Sequence, residues 1–196
     1  MNLVDRAKKI LLTPKQEWAV IATESQTVVS LYTQYVMILA AIPAIASFIG
    51  FSIVGYSGFG DGTAYRIPMG AGVANMILSY LMTLGSVYVM ALVIDALAPN
   101  FGGEKNPMQA LKVAAFFPTA AWLAGIFAIL PTLAILAVLG SLYSLYLLYT
   151  GLGPLMKVPE DKSIAYTAVV VIVAIVLMVV ISTVAALAMP ARTRGF

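Results

Sequence analysis

Four long stretches of this chain carry no charged residue, and that absence decides which solvent it folds in. Glu24 to Asp61, Arg66 to Asp95, Lys112 to Lys157 and Lys162 to Arg192 each enclose more than the ~20 apolar residues that a helix rising 1.5 Å per residue needs to cross a hydrocarbon core of ~30 Å. Lys112 to Lys157 is about twice the length of one span and is divided by Leu130-Pro131, which predicts two helices joined by a tight turn. The expected fold is therefore all-α, a polytopic bundle of five membrane-spanning helices over roughly 32–54, 70–98, 110–130, 131–150 and 165–189.

With 62% of its 196 residues hydrophobic, the chain has few polar residues beyond those its connections and termini use. One transmembrane domain, 29–196, preceded by an interfacial segment, 1–28, is the expected organisation. The chain contains no Cys and no His, which removes disulfides, thiolate chemistry, Ser-His and Cys-His triads and the commonest zinc ligands. No cofactor or metal is expected. A net charge of +3, dispersed along the chain, does not suit nucleic-acid binding. The basic start is followed by only three apolar residues, Ile10 to Leu12, before Thr13-Pro14, too few for a secretory signal.

Leu3, Val4, Ala7, Ile10 and Leu11 form one stripe of a helix whose other side carries Asp5, Arg6, Lys8 and Lys9. This amphipathic segment is expected to lie on an anionic membrane surface, with a topology-setting basic segment as the plainer alternative. Thr13-Pro14-Lys15-Gln16 has the pattern of a capping box, with Pro14 at the first helical position. The helix that follows carries Trp18, Ile21 and Ala22 on one face, and Trp18 reads as an interface anchor. Pro43 and Pro118 are expected bends within spans. Asn106-Pro107 reads as a helix start, and Gly151 to Ser163 as the last polar connection.

Asp95 is the one acidic residue inside an apolar span, so it is a candidate proton or cation site by default; the alternative is a carboxylate at a helix end, four residues before Pro99. Tyr143, Tyr146 and Tyr149 recur at every third position beside Ser141 and Ser144. They read either as an aromatic belt or as one wall of a polar cavity. Lys157, Glu160, Asp161 and Lys162 form the densest charge cluster between spans, a solvated turn or a compact face for a partner or lipid headgroups. Gly58-Phe59-Gly60-Asp61 matches the Gly-x-Gly-Asp motif of intramembrane aspartyl proteases. That chemistry needs a second carboxylate facing the first, and Asp95 is expected across the bilayer from Asp61. Ala121-x-x-x-Gly125 and Gly70-Ala71-Gly72 offer small faces for close helix contact.

The run from Asp95 to Lys105, Trp122 to Ile126, Leu142 to Tyr149, Leu155 to Lys162 and Tyr166-Thr167 together resemble the bacterial branch of the Yip (Ypt-interacting protein) family. The resemblance implies five spans with the N-terminus inside and the C-terminus outside. Eukaryotic members bind prenylated Rab-type GTPases, but this chain lacks their Asp-Leu-Tyr-Gly-Pro-like segment and long cytosolic extension, so that activity does not carry over. The expected function is that of a non-enzymatic protein of the inner membrane, multi-pass, acting through helix packing and contact with lipid, a membrane-protein partner or a second copy. The rival expectation is a small transporter or channel for protons, ions or a small solute, using Asp95 and the Tyr143/Tyr146/Tyr149 face.

Lys and Arg set orientation. With the N-terminus inside, Arg6, Lys8, Lys9, Lys15, Lys105, Lys112, Lys157 and Lys162 fall on the inner side, against Arg66, Arg192 and Arg194 outside. Periplasmic-type reporters fused after Phe196 are thus predicted to be active and cytoplasmic-type reporters silent; the reverse pattern would refute both the span count and the orientation.

Overall fold

The computed structural model describes residues 2–57 and 64–187. The Gly58 to Asp61 motif and the terminal Arg192 and Arg194 lie outside the described residues. Among the described residues, five segments are long and apolar enough to cross a bilayer: Val28–Val54, Met69–Phe101, Pro107–Ile129, Ile135–Met156 and Glu160–Val184. Two short helices, α1 (Leu3–Leu12) and α2 (Pro14–Thr23), precede them as a hairpin.

The first span opens at a capping box in which Thr27 Oγ1 accepts from the Ser30 amide at 3.1 Å and Ser30 Oγ accepts from the Thr27 amide at 3.0 Å. It continues through α3 (Val28–Leu31), a π-helical turn at Tyr32–Val36, α4 (Met37–Phe48) and a second π segment at Ile49–Val54. Pro43 sits inside α4, where the Cβ of a residue larger than glycine at 125 would stand 2.6 Å from the proline ring. Gly125 is thus the groove that receives Pro43. A two-residue antiparallel pair, β1 (Tyr56–Ser57) with β2 (Ala64–Tyr65), closes the connection to the next span.

The second span is α5 (Met69–Leu97), prolonged by a 3-10 turn at Ala98–Phe101. The third is broken as its proline predicts, into α6 (Pro107–Phe116) and α7 (Thr119–Ala124). Asn106 caps α6 by accepting from the Gln109 amide at 3.1 Å. The Pro118 break leaves unsatisfied amides at the start of α7, and the neighbouring span supplies one acceptor: Ala121 N donates to Ser144 Oγ at 2.9 Å. Short 3-10 turns at Gly125–Ile129 and Pro131–Leu133 make the expected hairpin into α8 (Ala134–Met156). The last span is α9 (Glu160–Leu187).

Two boundaries differ from expectation. Gly151 to Met156 belong to α8 and not to the final connection, which shrinks to Lys157–Pro159. Glu160, Asp161 and Lys162 accordingly form the first turn of α9 rather than a loop. The helix persists through two glycines and Pro154 because α2 packs along this stretch.

The third span lies at the centre: half of its most apolar window is buried (50%), against 11% for the fifth. α4 packs on α5 and α7, α5 on α6 and α9, and α8 on α6, α7 and α9. Tyrosine hydroxyls stitch several of these pairs through backbone carbonyls, Tyr32 to Leu84 O at 3.0 Å, Tyr80 to Met37 O at 2.9 Å and Tyr166 to Ile94 O. Of the small faces, Gly72 closes on Ser52 and Phe48, while Gly70 meets nothing within 4 Å and makes no close contact.

The hairpin departs furthest from its sequence reading. Trp18 is fully buried against Gly151 and Phe116, with 6.3 Å between its ring centroid and that of Phe116, and is not an interface anchor. Its ring fits because a residue with a Cβ at 151 would stand 2.7 Å from Trp18 Cε2 and Cζ2. Thr13 makes no side-chain cap for α2; its hydroxyl instead donates back to Lys9 O at 3.1 Å, which takes it away from the amides of the following turn. In α1, Ala7 and Ile10 of the predicted lipid-facing stripe are buried against protein, and Leu3 and Leu11 pack at the edge of the same core.

Gly151→Leu is predicted to expel the Trp18 ring and to destabilise the protein by about 1–3 kcal/mol. Gly85→Ala, at a helical position with nothing within 4 Å of the new Cβ, is predicted to be neutral or slightly stabilising. Thermal unfolding in detergent, with Trp18 fluorescence read in a Trp122→Phe background, compares the two.

Candidate functional site

Beneath the hairpin the helices enclose a group of charges. Arg6 from α1 donates through one guanidinium nitrogen to Glu17 of α2 at 2.5 Å, and through the other to Glu24, which follows α2. The side chains of Arg6 and Glu17 are each only 5% exposed. The planar fork of arginine suits this bridge, because its two terminal nitrogens point at separate carboxylates without distortion. Phe116 of α6 lies under the guanidinium, 5.7 Å from its ring centroid, and supplies a cation–π face.

Lys112, one turn earlier on α6, is 2% exposed and completes the cluster. Its Nζ donates to the carbonyls of Ile21 at 2.9 Å and Glu24 at 2.6 Å. Gln109, three residues before it and so on the same helix face, donates to Ala22 O at 2.7 Å. These two side chains therefore cap the C-terminal carbonyls of α2, which would otherwise end unsatisfied against an apolar wall. Two cations and two carboxylates balance, and that balance permits a burial which would be prohibitive for one unpaired charge. Further in, Tyr35 and Thr119 share a hydroxyl hydrogen bond of 2.7 Å, and Thr119 donates to Phe116 O at 2.6 Å across the proline break.

The residues singled out from the sequence do not converge here. Tyr143 is half-buried and donates to Leu11 O at 2.6 Å, fastening the end of α1, and its ring lies 5.5 Å from that of Tyr146. Tyr146 and Tyr149 point outward, each 41% exposed. Asp95 stands on α5, half-buried, one residue beyond the Ile94 carbonyl that receives Tyr166; its Oδ1 is buried without a hydrogen-bond partner among the described residues. Lys112 is engaged by the hairpin and does not reach it. Lys157, in the left-handed conformation at φ 54°, donates to Glu104 Oε2 at 2.7 Å, with both side chains about two-thirds exposed (68% and 65%). Glu160, Asp161 and Lys162 are exposed. The connection that Lys157 opens locks against the one after α5, where Glu104 N donates to Met156 O at 2.9 Å.

A cavity of about 320 Å³ lies between α5, the α6–α7 break and α9, walled by Met90, Phe117, Trp122 and Leu177. Its hydroxyls, on Thr83 and Ser86, donate to carbonyls of their own helix, which leaves apolar walls. Asp95 and the three tyrosines are not among its lining.

What the sequence reading missed are Arg6, Glu17, Glu24, Gln109 and Lys112. The signals were present: Arg6 precedes Ile10 by four residues, as Glu17 precedes Ile21, so each charge shares a face with a buried aliphatic. Gln109 and Lys112 share one face of a helix that is otherwise apolar.

A family model described as the Yip1 domain matches residues 8–181. The relatives found include two proteins called Inner membrane protein YohC, from Escherichia coli K12 and from Escherichia coli O6:H1 strain CFT073. Each is 35% identical over 118 residues, a stretch that covers 60% of this chain and 60% of the relative. The alignment thus spans less than two thirds of either protein. No solved structure matches.

Arg6→Met is predicted to destabilise the protein by about 3–5 kcal/mol, because it strands two carboxylates beneath the hairpin. Arg6→Met combined with Glu17→Met keeps the charges balanced and should cost less than the single change. Lys157→Ala breaks only an exposed pair and should cost about 0–1 kcal/mol. Detergent-solubilised thermal melts of the three variants give the ranking, and equal losses for Arg6→Met and Lys157→Ala would refute it.

Proposed function

The chain belongs to the Yip1 domain family, and from that premise we propose that it is a non-enzymatic scaffold of the cytoplasmic membrane, inserted with its N-terminal hairpin on the inner side. The E. coli relatives carry the name of inner membrane proteins, which supports the location. The observation that carries the scaffold reading is the use made of polar groups inside the protein. Arg6, Glu17, Glu24, Lys112 and Gln109 are spent on fastening the hairpin, and Tyr32, Tyr80, Tyr143 and Tyr166 on joining helices to one another. Such joints produce a rigid inner face rather than a path. That face carries the exposed Lys157, Glu160, Asp161 and Lys162, and lipid, a membrane-protein partner or a second copy would meet it there.

One observation favours the rival reading, transport of protons, ions or a small solute: the Oδ1 of Asp95, buried with no hydrogen-bond partner among the described residues. The same assay decides between them. In liposomes holding a pH-sensitive dye under an imposed gradient, the parent protein and Asp95→Asn are predicted to give the same background leak. Flux in the parent that Asp95→Asn abolishes would overturn the scaffold assignment in favour of transport.

A further inference from the structure

With Arg6 and Lys112 neutralised by carboxylates and carbonyls, the cations of the hairpin that form no ion pair among the described residues are Lys8, Lys9 and Lys15. Lys8 stands between Val4 and Leu12 in a row spaced by four residues along α1, on the side turned away from Ala7 and Ile10. The two aliphatics flanking it are 64% and 69% exposed, values matched among the described residues only by large hydrophobic side chains on membrane spans and at their ends. Val4 and Leu12 thus present two aliphatics about one lysine on the uncovered side of α1. Asp5 is the one carboxylate exposed on this side, so the face keeps a net positive charge.

The level of α1 against the bundle follows from its last turn. Leu11 O receives the Tyr143 hydroxyl, and the exposed ring of Tyr146 lies beside Tyr143. Tyr143 and Tyr146 lie near the middle of α8 (Ala134–Met156), so the end of α1 is docked along the flank of that span. An amphipathic face held against the flank of a membrane span, with aliphatics alternating with lysine, has the chemistry for anionic headgroups: ammonium groups reach phosphate while the stems and neighbouring side chains enter the acyl boundary.

We infer that the face of α1 formed by Val4, Lys8 and Leu12, with Lys9 and Lys15 beside it, binds anionic phospholipid of the inner leaflet. It shares only Val4 with the stripe that sequence periodicity selects, because the Ala7–Ile10 side is consumed in docking. The inference rests on the scaffold reading for the sidedness of the hairpin and adds the class of lipid.

The absence of cysteine makes the test direct. Spin labels on Leu12→Cys, on Glu160→Cys as an aqueous reference and on Ile172→Cys as a lipid reference are compared for collision with oxygen and with a nickel chelate. The protein is reconstituted in phosphatidylcholine with and without phosphatidylglycerol. Leu12 is expected to be shielded from nickel in the anionic membrane, and to lose that shielding without phosphatidylglycerol or in a Lys8→Gln/Lys9→Gln/Lys15→Gln background, whose melting temperature should equal the parent's. Nickel access at Leu12 equal to that at Glu160 in anionic membranes would overturn the inference. Shielding indifferent to lipid charge would overturn it too, and shielding seen only in native membranes would assign the face to a protein. A failure of sidedness is distinguished separately, since an impermeant thiol reagent would then label Glu160→Cys from the outer side.

Discussion

The architecture of the end that carries the N-terminal hairpin depends on one arrangement, the bridge from Arg6 to two carboxylates with Lys112 capping the helix that carries one of them. Each group alone would be costly to bury at the edge of a membrane. Together they are neutral, and every strong donor has an acceptor on another element. The bridge forces α1 and α2 side by side. Lys112 and Gln109 then tie α2 to the central span, Trp18 fills the notch at Gly151, and Tyr143 holds the far end of α1. Hydrophobic contact alone would let so short a hairpin slide across the bundle; directional hydrogen bonds to named carbonyls do not.

The membrane-spanning segments were legible because lipid imposes a simple requirement of length without charge, and Pro118, Leu130-Pro131 and Asn106-Pro107 punctuate the chain where backbone chemistry demands. The hairpin was less legible. Of its stripe of Leu3, Val4, Ala7, Ile10 and Leu11 all but Val4 turn toward the bundle, and periodicity states that a face is apolar and not whether lipid or protein covers it. Trp18 illustrates the same ambiguity, since a tryptophan near a span suits an interface and a core equally. The Gly151 to Met156 stretch read as a connection because two glycines and a proline weaken a helix; packing by α2 outweighs that propensity.

The candidate site was hardest to read. Asp95 and the tyrosines attract attention as polar residues in apolar sequence, whereas Arg6, Glu17 and Glu24 look ordinary in a polar N-terminus. Helical spacing puts Arg6 and Glu17 on a face with an aliphatic, but whether that face is buried depends on its contacts with α6, some ninety residues away. The tyrosines illustrate a further point: within a bundle, a hydroxyl aimed at a neighbouring carbonyl is a fastener, and spacing alone does not separate that role from cavity lining.

The Leu11–Tyr143 joint spans 132 residues and the Lys112–Ile21 joint 91, so the hairpin is made first and seated late. At a synthesis rate of ~5–20 residues per second, on the order of ten seconds pass between the appearance of α1 and that of its anchor on α8. During that interval Trp18 has no notch to enter, because Gly151 has not yet been made. The seat of the hairpin is thus shared by the third and fourth spans, and it is complete only once both have been made.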